Sequence, residues 1–284
     1  MLFCITVLFF FSSLFSWPWL GVKGSSGLTL NYTSYQSDTK FSDGTQLQTA
    51  KGDKIPIFVD GPGEVGYQTF ELSGSYVIHK HLAVSLYTQW ALVAWENDNP
   101  ETEQGLGDTH LSLKIALPYS LPLVAFAGVQ FPTGINKISS QSISLGDGVF
   151  SYSTGFSTGF KPLSWLILYS TQQLKLPTTK TTENSSLKKG LSWKGSLNSL
   201  LTFQSWGWGS SYEWLTSRDS KSIILGFTRP LPGVAYHTLS TSLFYKLKRV
   251  KIFNRIKFPL SGIEYATAFR YGLGFSLSFP PLHN

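Results

Sequence analysis

Residues 105–118 read "GLGDTHLSLKIALP". After the glycine–aspartate head, Leu111, Leu113, Ile115 and Leu117 alternate with His110, Ser112, Lys114 and Ala116. Successive strand residues point to opposite faces, so this segment is a wall with one apolar and one polar side. The head itself has two readings, a ligand loop or a break that admits a strand. No helical pattern follows Gly105, Gly107 and Asp108, so no helix N-terminus is present to hold a phosphate, and the dinucleotide reading fails. A glycine turn leading into a strand accounts for it without a ligand.

The same two-residue period recurs along the chain, and no amphipathic helical period competes with it. In "HLAVSLYTQWALVAW", Leu82, Val84, Leu86, Trp90 and Leu92 oppose His81, Ala83, Ser85 and Gln89. In "LSWKGSLNSLLTF", Leu191, Trp193, Leu197, Leu201 and Phe203 oppose Ser192, Lys194, Ser196, Asn198 and Thr202. Near the C-terminus Ile263, Tyr265, Phe269, Tyr271, Leu273, Phe275, Leu277 and Phe279 are read as opposing Glu264, Arg270, Gly272, Gly274, Ser276 and Ser278. The pattern predicts strands over 27–35, 66–79, 82–95, 107–117, 121–131, 147–160, 164–175, 190–203, 206–217, 221–229, 235–247 and 261–279.

A soluble sandwich would show the same alternation, with its apolar side as core. Three features point instead to a membrane barrel. Only 14% of the residues are charged while 15% are aromatic, and mean hydropathy is near zero. A soluble surface needs more charge than this, and many polar-side residues are instead small or neutral, Gly, Ser, Thr, Asn and Gln, with only scattered charges. Aromatic residues cluster at predicted strand ends: Trp90 and Trp95, Phe150 and Tyr152, Trp206 and Trp208, Tyr212 and Trp214. Interfacial girdles place them there. Connections alternate in length: "HKH", "PYSL", "KPLS", "QS" and "RPLPG" are tight, while 36–65, 96–106, 132–146, 176–189 and 248–260 are long. Short turns on one rim and long loops on the other are the layout of bacterial outer-membrane barrels. The expectation is an all-β transmembrane up-and-down antiparallel β-barrel of about 12 strands, with ten or fourteen also compatible, in the bacterial cell outer membrane.

The first residues, "MLFCITVLFFFSSLFSWPWLGVKGSSG", carry an apolar run too short to span a bilayer. It reads as a signal peptide over residues 1–24, leaving a barrel domain over 25–284. The single cysteine, Cys4, falls inside it, which excludes disulfides, thiolate metal sites and a cysteine nucleophile from the rest. The net charge of +7 raises the question of nucleic acid, but no basic stripe or recognition helix is present. The basic residues are read as spread over loops and turns, solvated or facing lipid headgroups.

The polar faces carry Glu71, His81, His110, Lys114, Lys194, Asn198, Glu213, Glu264 and Arg270. These are candidates for the lining of a lumen, either pairing across strands and solvating the interior or forming a selectivity lining. Inward glycines and serines are expected to leave room there. One GxSxG string occurs, "GFSTG" around Ser157, but inside a strand-like run with no helix after it, so it lacks the context of a nucleophile elbow. No HExxH, calcium loop or P-loop is present, and neither an enzyme nor a cofactor is expected. In the predicted topology Asp108, Thr133 and Asp147 share the long-loop rim, as structural corners or as solute contacts. Expected partners are outer-membrane lipids, a small-molecule solute and the barrel assembly machinery.

"GLGDTHLSLKIAL", "VAFAGVQFPTG" and "LGDGVFSYSTGF" together resemble the family described as the meta-pathway of phenol degradation, over about residues 105–160. The matching residues are Gly105, Gly107, Asp108, Leu113, Lys114, Pro132, Thr133, Gly134, Gly146 and Gly148. The last strand also resembles the C-terminal assembly signal of outer-membrane barrels at Gly274, Leu277 and Phe279, although five residues follow. The family resemblance implies a channel-type barrel for small molecules, hydrophobic or aromatic ones among them. The alternatives are an adhesive or structural barrel with a plugged lumen, and a lipid-modifying enzyme, which would show a Ser–His pair on the outer rim. A barrel of this kind is expected to migrate faster on a gel before boiling than after. Unchanged mobility together with solubility in the absence of detergent would sink the architecture.

Overall fold

The computed structural model describes residues 23–37, 40–41, 46–48, 54–56, 64–96, 101–117, 122–134, 148–182, 185–224, 227–231, 233–263, 265–266 and 269–281. Twelve strands form one closed antiparallel barrel. They are β1 (Ser26–Ser37), β2 (Glu64–His79), β3 (Leu82–Glu96), β4 in two pieces (Glu101–Leu106 and Thr109–Leu117), β5 (Leu123–Phe131) and β6 (Ser151–Leu163). Then come β7 (Leu166–Pro177), β8 (Ser192–Phe203), β9 (Trp206–Ser217), β10 (Ala235–Leu247), β11 (Val250–Ile263) and β12 (Arg270–Phe279). Each strand pairs with its sequence neighbours, and β12 closes on β1 with Leu28 opposite Leu277 and Thr33 opposite Gly272. Hydrocarbon offers backbone groups no hydrogen-bond partner, so a spanning sheet must close on itself, and this one does.

The alternation sorts cleanly into two faces. Leu72, Leu86, Leu113, Phe156, Leu197, Leu239, Ile252 and Leu273 point outward and are exposed. Thr29, Asn31, Glu71, Ser85, Ser153, Lys194, Glu213, Ser240 and Arg255 point inward and are buried. An exposed apolar belt of this extent is stable only against lipid. Aromatic side chains flank it at both ends. Trp165 stacks on Phe203, and Phe203 packs against Trp206, at the short-turn end. Phe131 meets Phe150 edge-on at the long-loop end.

Several expectations are corrected. Residues 248–260 are not a loop: they form β11, with a tight turn at Lys248 and Arg249 before it. Lys251, Arg255 and Lys257 alternate with Ile252, Asn254 and Ile256, so the charges belong to the inner face of a strand rather than to a solvated loop. Residues 221–229 are not a barrel strand. They fall in a separate four-stranded rim sheet of Thr179–Thr182, Ser185–Lys188, Ser220–Ile224 and Phe227–Leu231. "RPLPG" is therefore not a tight turn of the short rim. The two errors offset, so the strand number came out right. The last strand is Arg270–Phe279, because residues up to Ile263 belong to β11. Part of the expected loop 96–106 is wall, since Glu101–Leu106 pairs with β3. The expected loop 176–189 likewise contributes Thr179–Thr182 and Ser185–Lys188 to the rim sheet.

The break in β4 is a bulge. Tyr87 pairs with His110 and Trp90 with Leu106, so Thr88 and Gln89 face Gly107, Asp108 and Thr109. One residue is extra on the β4 side, and the ladder resumes beyond it. Gly107 donates its backbone N–H to the Gln89 carbonyl at 2.8 Å, and a Cβ there would lie 2.5 Å from the Gln89 side chain.

Inward glycines do not simply leave the lumen empty. Gly155, Gly207 and Gly274 stand directly across from Phe126, Phe244 and Phe253, whose rings occupy the space of the missing side chains. A Cβ on Gly274 would come within 2.3 Å of the Phe253 ring and 2.7 Å of the Leu30 carbonyl. Gly274→Ala is therefore expected to destabilise the barrel by about 2 kcal/mol, as overpacking does. The change is read as a lower temperature for loss of the fast-migrating folded band. Adding Phe253→Ala to Gly274→Ala should recover part of the loss, since residues in contact couple. Equal loss in the single and double variants would refute the pairing.

Candidate functional site

The lumen is the site that the fold builds, because every second residue of twelve strands converges on it. Cross-strand partners share a face, so the register assigns its lining. Lys114, Lys175, Lys194, Lys246, Lys251, Arg255, Lys257 and Arg270 face inward. The inward acids among the described residues are Glu71, Glu103 and Glu213, with Asp108 buried at the bulge and Glu101 on the Glu103 side of the ladder. The described lining thus carries an excess of positive charge.

Glu213 on β9 is the hub of one wall. Its Oε1 meets Lys194 Nζ of β8 at 3.1 Å and Lys257 Nζ of β11 at 2.8 Å, and it accepts the Tyr236 hydroxyl of β10 at 3.1 Å. The Lys257 ammonium also lies over the Tyr236 ring, 5.4 Å from its centre. Two cations on one buried carboxylate hold three strands in register, since removing one partner of such a cluster strands a buried charge. Across the lumen, Glu71 of β2 accepts from the Asn31 amide of β1 at 2.9 Å, and Asn31 also donates to Thr33 at 3.2 Å.

Asn31, Thr33, Glu71 and Lys257 border a cavity toward the long-loop end, lined also by Tyr35, Tyr67, Thr69, Arg255, Arg270 and Gly272. It has about 30 Å³ of free space between the side chains. At the opposite end Val77, Ala83, Ala116 and Val124 form a buried apolar cluster. There Lys246 and Lys251 stand directly across from each other, and Lys251 Nζ lies 4.2 Å from the centre of the Phe244 ring.

Of the residues singled out from the sequence, Glu71 and Arg270 border the cavity, and Lys194 and Glu213 meet at the hub. Asn198 is buried and donates to Ser196 at 3.0 Å and to the Tyr169 carbonyl at 3.3 Å. Lys114 and His110 lie on the far wall, on β4, where His110 Nε2 is 3.1 Å from Ser153 Oγ. His81 sits in the tight turn between β2 and β3, at the short-turn mouth. Glu264 and Asp147 lie outside the described residues.

Asp108 and Thr133 are brought together at one corner. Asp108 accepts the Gln130 amide at 2.6 Å and the Gly134 backbone N–H at 3.2 Å. Thr133 donates to the Gly107 carbonyl at 3.0 Å and lies 2.9 Å from Thr109 Oγ1. Both side chains tie the end of β5 to the bulge of β4. In the C-terminal strand Gly274 faces inward beneath the Phe253 ring, while Phe279 points outward at the short-turn end.

Sequence reasoning missed Lys251, Arg255 and Lys257, together with the inward Lys175 and Lys246. The signal was present in "VKIFNRIKF", where cations occupy one face and Ile252 and Ile256 the other. The Ser157 hydroxyl lies in mid-strand, 2.9 Å from Thr171 Oγ1, and not at a strand-to-helix turn. The His110–Ser153 pair lies inside the lumen and not on the outer rim, where a lipid-modifying enzyme would meet its substrate. Among the described residues no group of His, Cys, Asp and Glu is arranged to hold a metal ion.

No family model matches the sequence, so membership of the family resembled over residues 105–160 is not confirmed, and no curated protein matches it either. Solved structures do match. An outer membrane channel from Pseudomonas putida F1 superposes with a TM-score of 0.72 at 12% identity, covering 90% of this chain and 96% of that one. The translocator domain of the autotransporter NalP from Neisseria meningitidis gives a TM-score of 0.50 at 7% identity, covering 91% and 88%. The transport unit of the autotransporter AIDA-I from Escherichia coli gives 0.50 at 11% identity, covering 96% and 97%. At such identities the likeness is one of architecture: the chain has the fold of bacterial outer-membrane β-barrels.

Proposed function

We propose that this protein is an outer-membrane channel that passes small molecules through its lumen, with a preference for those carrying negative charge. The observation that carries this reading is the excess of inward cations, set along the wall from Arg270 at the long-loop end to Lys246 at the short-turn end. A cleft lined by one sign of charge between low-dielectric walls concentrates the opposite sign. The inward aromatics Tyr35, Tyr67, Tyr87, Tyr169 and Tyr236 favour solutes with an aromatic body over small inorganic ions alone. A bare hydrocarbon is disfavoured, because it would strip water from Lys and Arg side chains without replacing it.

One observation favours a second reading, a structural barrel with a closed lumen. Phe126, Phe244 and Phe253 fill the places opposite inward glycines, and the short-turn end carries the apolar cluster around Val77. Planar bilayers separate the two. The channel reading expects discrete conductance steps and a reversal potential displaced toward that of chloride in a potassium chloride gradient. Replacing Lys251 and Arg255 by glutamine should shift that potential toward the unselective value. Absence of both conductance and solute uptake into liposomes would leave the structural reading standing.

The hub gives a separate expectation. Glu213→Gln keeps the shape but leaves Lys194 and Lys257 facing each other across the site of the lost charge, at a cost of about 3 kcal/mol. Folded-band stability should fall accordingly, with less loss in Glu213→Gln combined with Lys194→Met. Equal stability of wild type and Glu213→Gln would show that the cluster does not hold the wall.

A further inference from the structure

We infer that the short-turn rim of the barrel binds phospholipid of net negative charge in the leaflet that it faces, with Lys161, Lys248 and Arg249 as headgroup contacts beside an exposed shelf of aromatic rings. This contact stands whether or not the lumen conducts.

The rim carries charge of one sign. Lys80 lies in the β2–β3 turn, Lys161 at the end of β6, and Lys248 and Arg249 in the β10–β11 turn, all of them exposed. Residues 79–81, 118–122, 161–165, 204–205 and 248–249, which connect the strands at this end, contain no Asp or Glu, and neither do the residues after Phe279. The nearest acids along the chain, Glu71 and Glu213, are in mid-strand and buried on the inner face. With no acid in these connections to answer them, the rim cations meet what lies beyond the turns. Against a surface of phosphates their attractions add.

Geometry selects a surface over a small anion. Lys161 on β6 and Lys248 beyond β10 are four strands apart, roughly 20 Å of rim at about 4.8 Å per strand. No small anion bridges that distance, whereas a layer of headgroups does. The aromatic shelf runs between the two. Trp165 stacks on Phe203 with ring centres 6.1 Å apart, Phe203 packs on Trp206 at 4.7 Å, and Trp206 stands opposite Tyr245 in the β9–β10 ladder. All four rings are exposed, and so are Trp208, Leu243 and Ile252 further along the outer wall. Such rings sit where hydrocarbon gives way to headgroups. The shelf therefore sets the depth of the adjoining turns, and Lys161, Lys248 and Arg249 come to the level of the lipid phosphates. A zwitterionic headgroup offsets its phosphate with its own ammonium. A headgroup without that ammonium leaves the whole charge to the rim, which is why the anionic lipid is preferred.

The test is electron spin resonance on the full chain reconstituted in phosphatidylcholine bilayers, with spin-labelled phosphatidylglycerol or phosphatidylcholine as the probe. The motionally restricted fraction reports lipid held at the barrel surface. Phosphatidylglycerol should associate about threefold or more strongly than phosphatidylcholine at low salt, and the ratio should fall toward one in about 1 M salt. The triple variant Lys161→Gln, Lys248→Gln, Arg249→Gln should lose most of the preference. Lys188→Gln with Lys221→Gln, two exposed lysines paired in the rim sheet at the opposite end, should keep it. Each variant is first shown to keep its heat-modifiable band, so that loss of the preference is not loss of fold. Equal association of the two lipids, or a full preference in the triple variant, would overturn the inference. So would a preference that disappears with Lys188 and Lys221 instead, which would move the lipid contact to the long-loop end.

Discussion

Closure of the backbone ladder is what everything else depends on. Inside hydrocarbon an N–H or C=O without a partner costs several kcal/mol, and a sheet edge would present a whole row of them. The seam between β12 and β1, running from Ser26 opposite Phe279 to Ser34 opposite Tyr271, removes that edge. Once the sheet is closed, inside and outside are distinct, and the two-residue period delivers every second side chain to each. The apolar belt and the charged lumen are then two consequences of one geometric condition. Neither face could be changed wholesale without losing the other.

The interior meets the packing problem in two ways. Toward the short turns apolar contacts fill much of it, with Phe rings laid over glycines and a small cluster around Val77 and Val124, while Lys114, Lys246 and Lys251 also face inward there. Toward the long loops it carries linked charges, with Glu213 engaging Lys194 of β8 and Lys257 of β11, and Glu71 held by the Asn31 amide. An apolar contact is satisfied by any neighbour of suitable shape. A buried cation requires a particular partner, so the charged half is where composition sets what else can enter.

Much of this was legible in the sequence. β3, β8 and β12 announced themselves because their two faces differ sharply, Leu and Phe against Ser, Gly and Gln. The meeting of Asp108 and Thr133 followed from counting turns, since alternating short and long connections place the ends of β4 and β5 side by side. β11 was hidden because Lys251, Arg255 and Lys257 have the look of a solvated loop, and nothing local reveals that the solvent is a lumen. The upper part of β4 was hidden for the same reason, with Glu101 and Glu103 in a polar run. The rim sheet was taken for wall because a strand's propensity is the same wherever it pairs. Partners such as Lys194 and Lys257 on Glu213 are joined only by the closed sheet, at sequence separations that no local pattern reports.

The bulge at Asp108 has a consequence for how such a wall can change. Above it the inward positions of β4 are odd-numbered, Glu103 and Gly105; below it they are even-numbered, His110, Ser112 and Lys114. The extra residue is taken up at the bulge, where the buried Asp108 side chain clasps the adjoining strand at Gln130 and Gly134. The bulge therefore acts as an expansion joint. The segment that meets lipid keeps its phase, while the segment above can be lengthened or shortened by a residue without turning the barrel inside out.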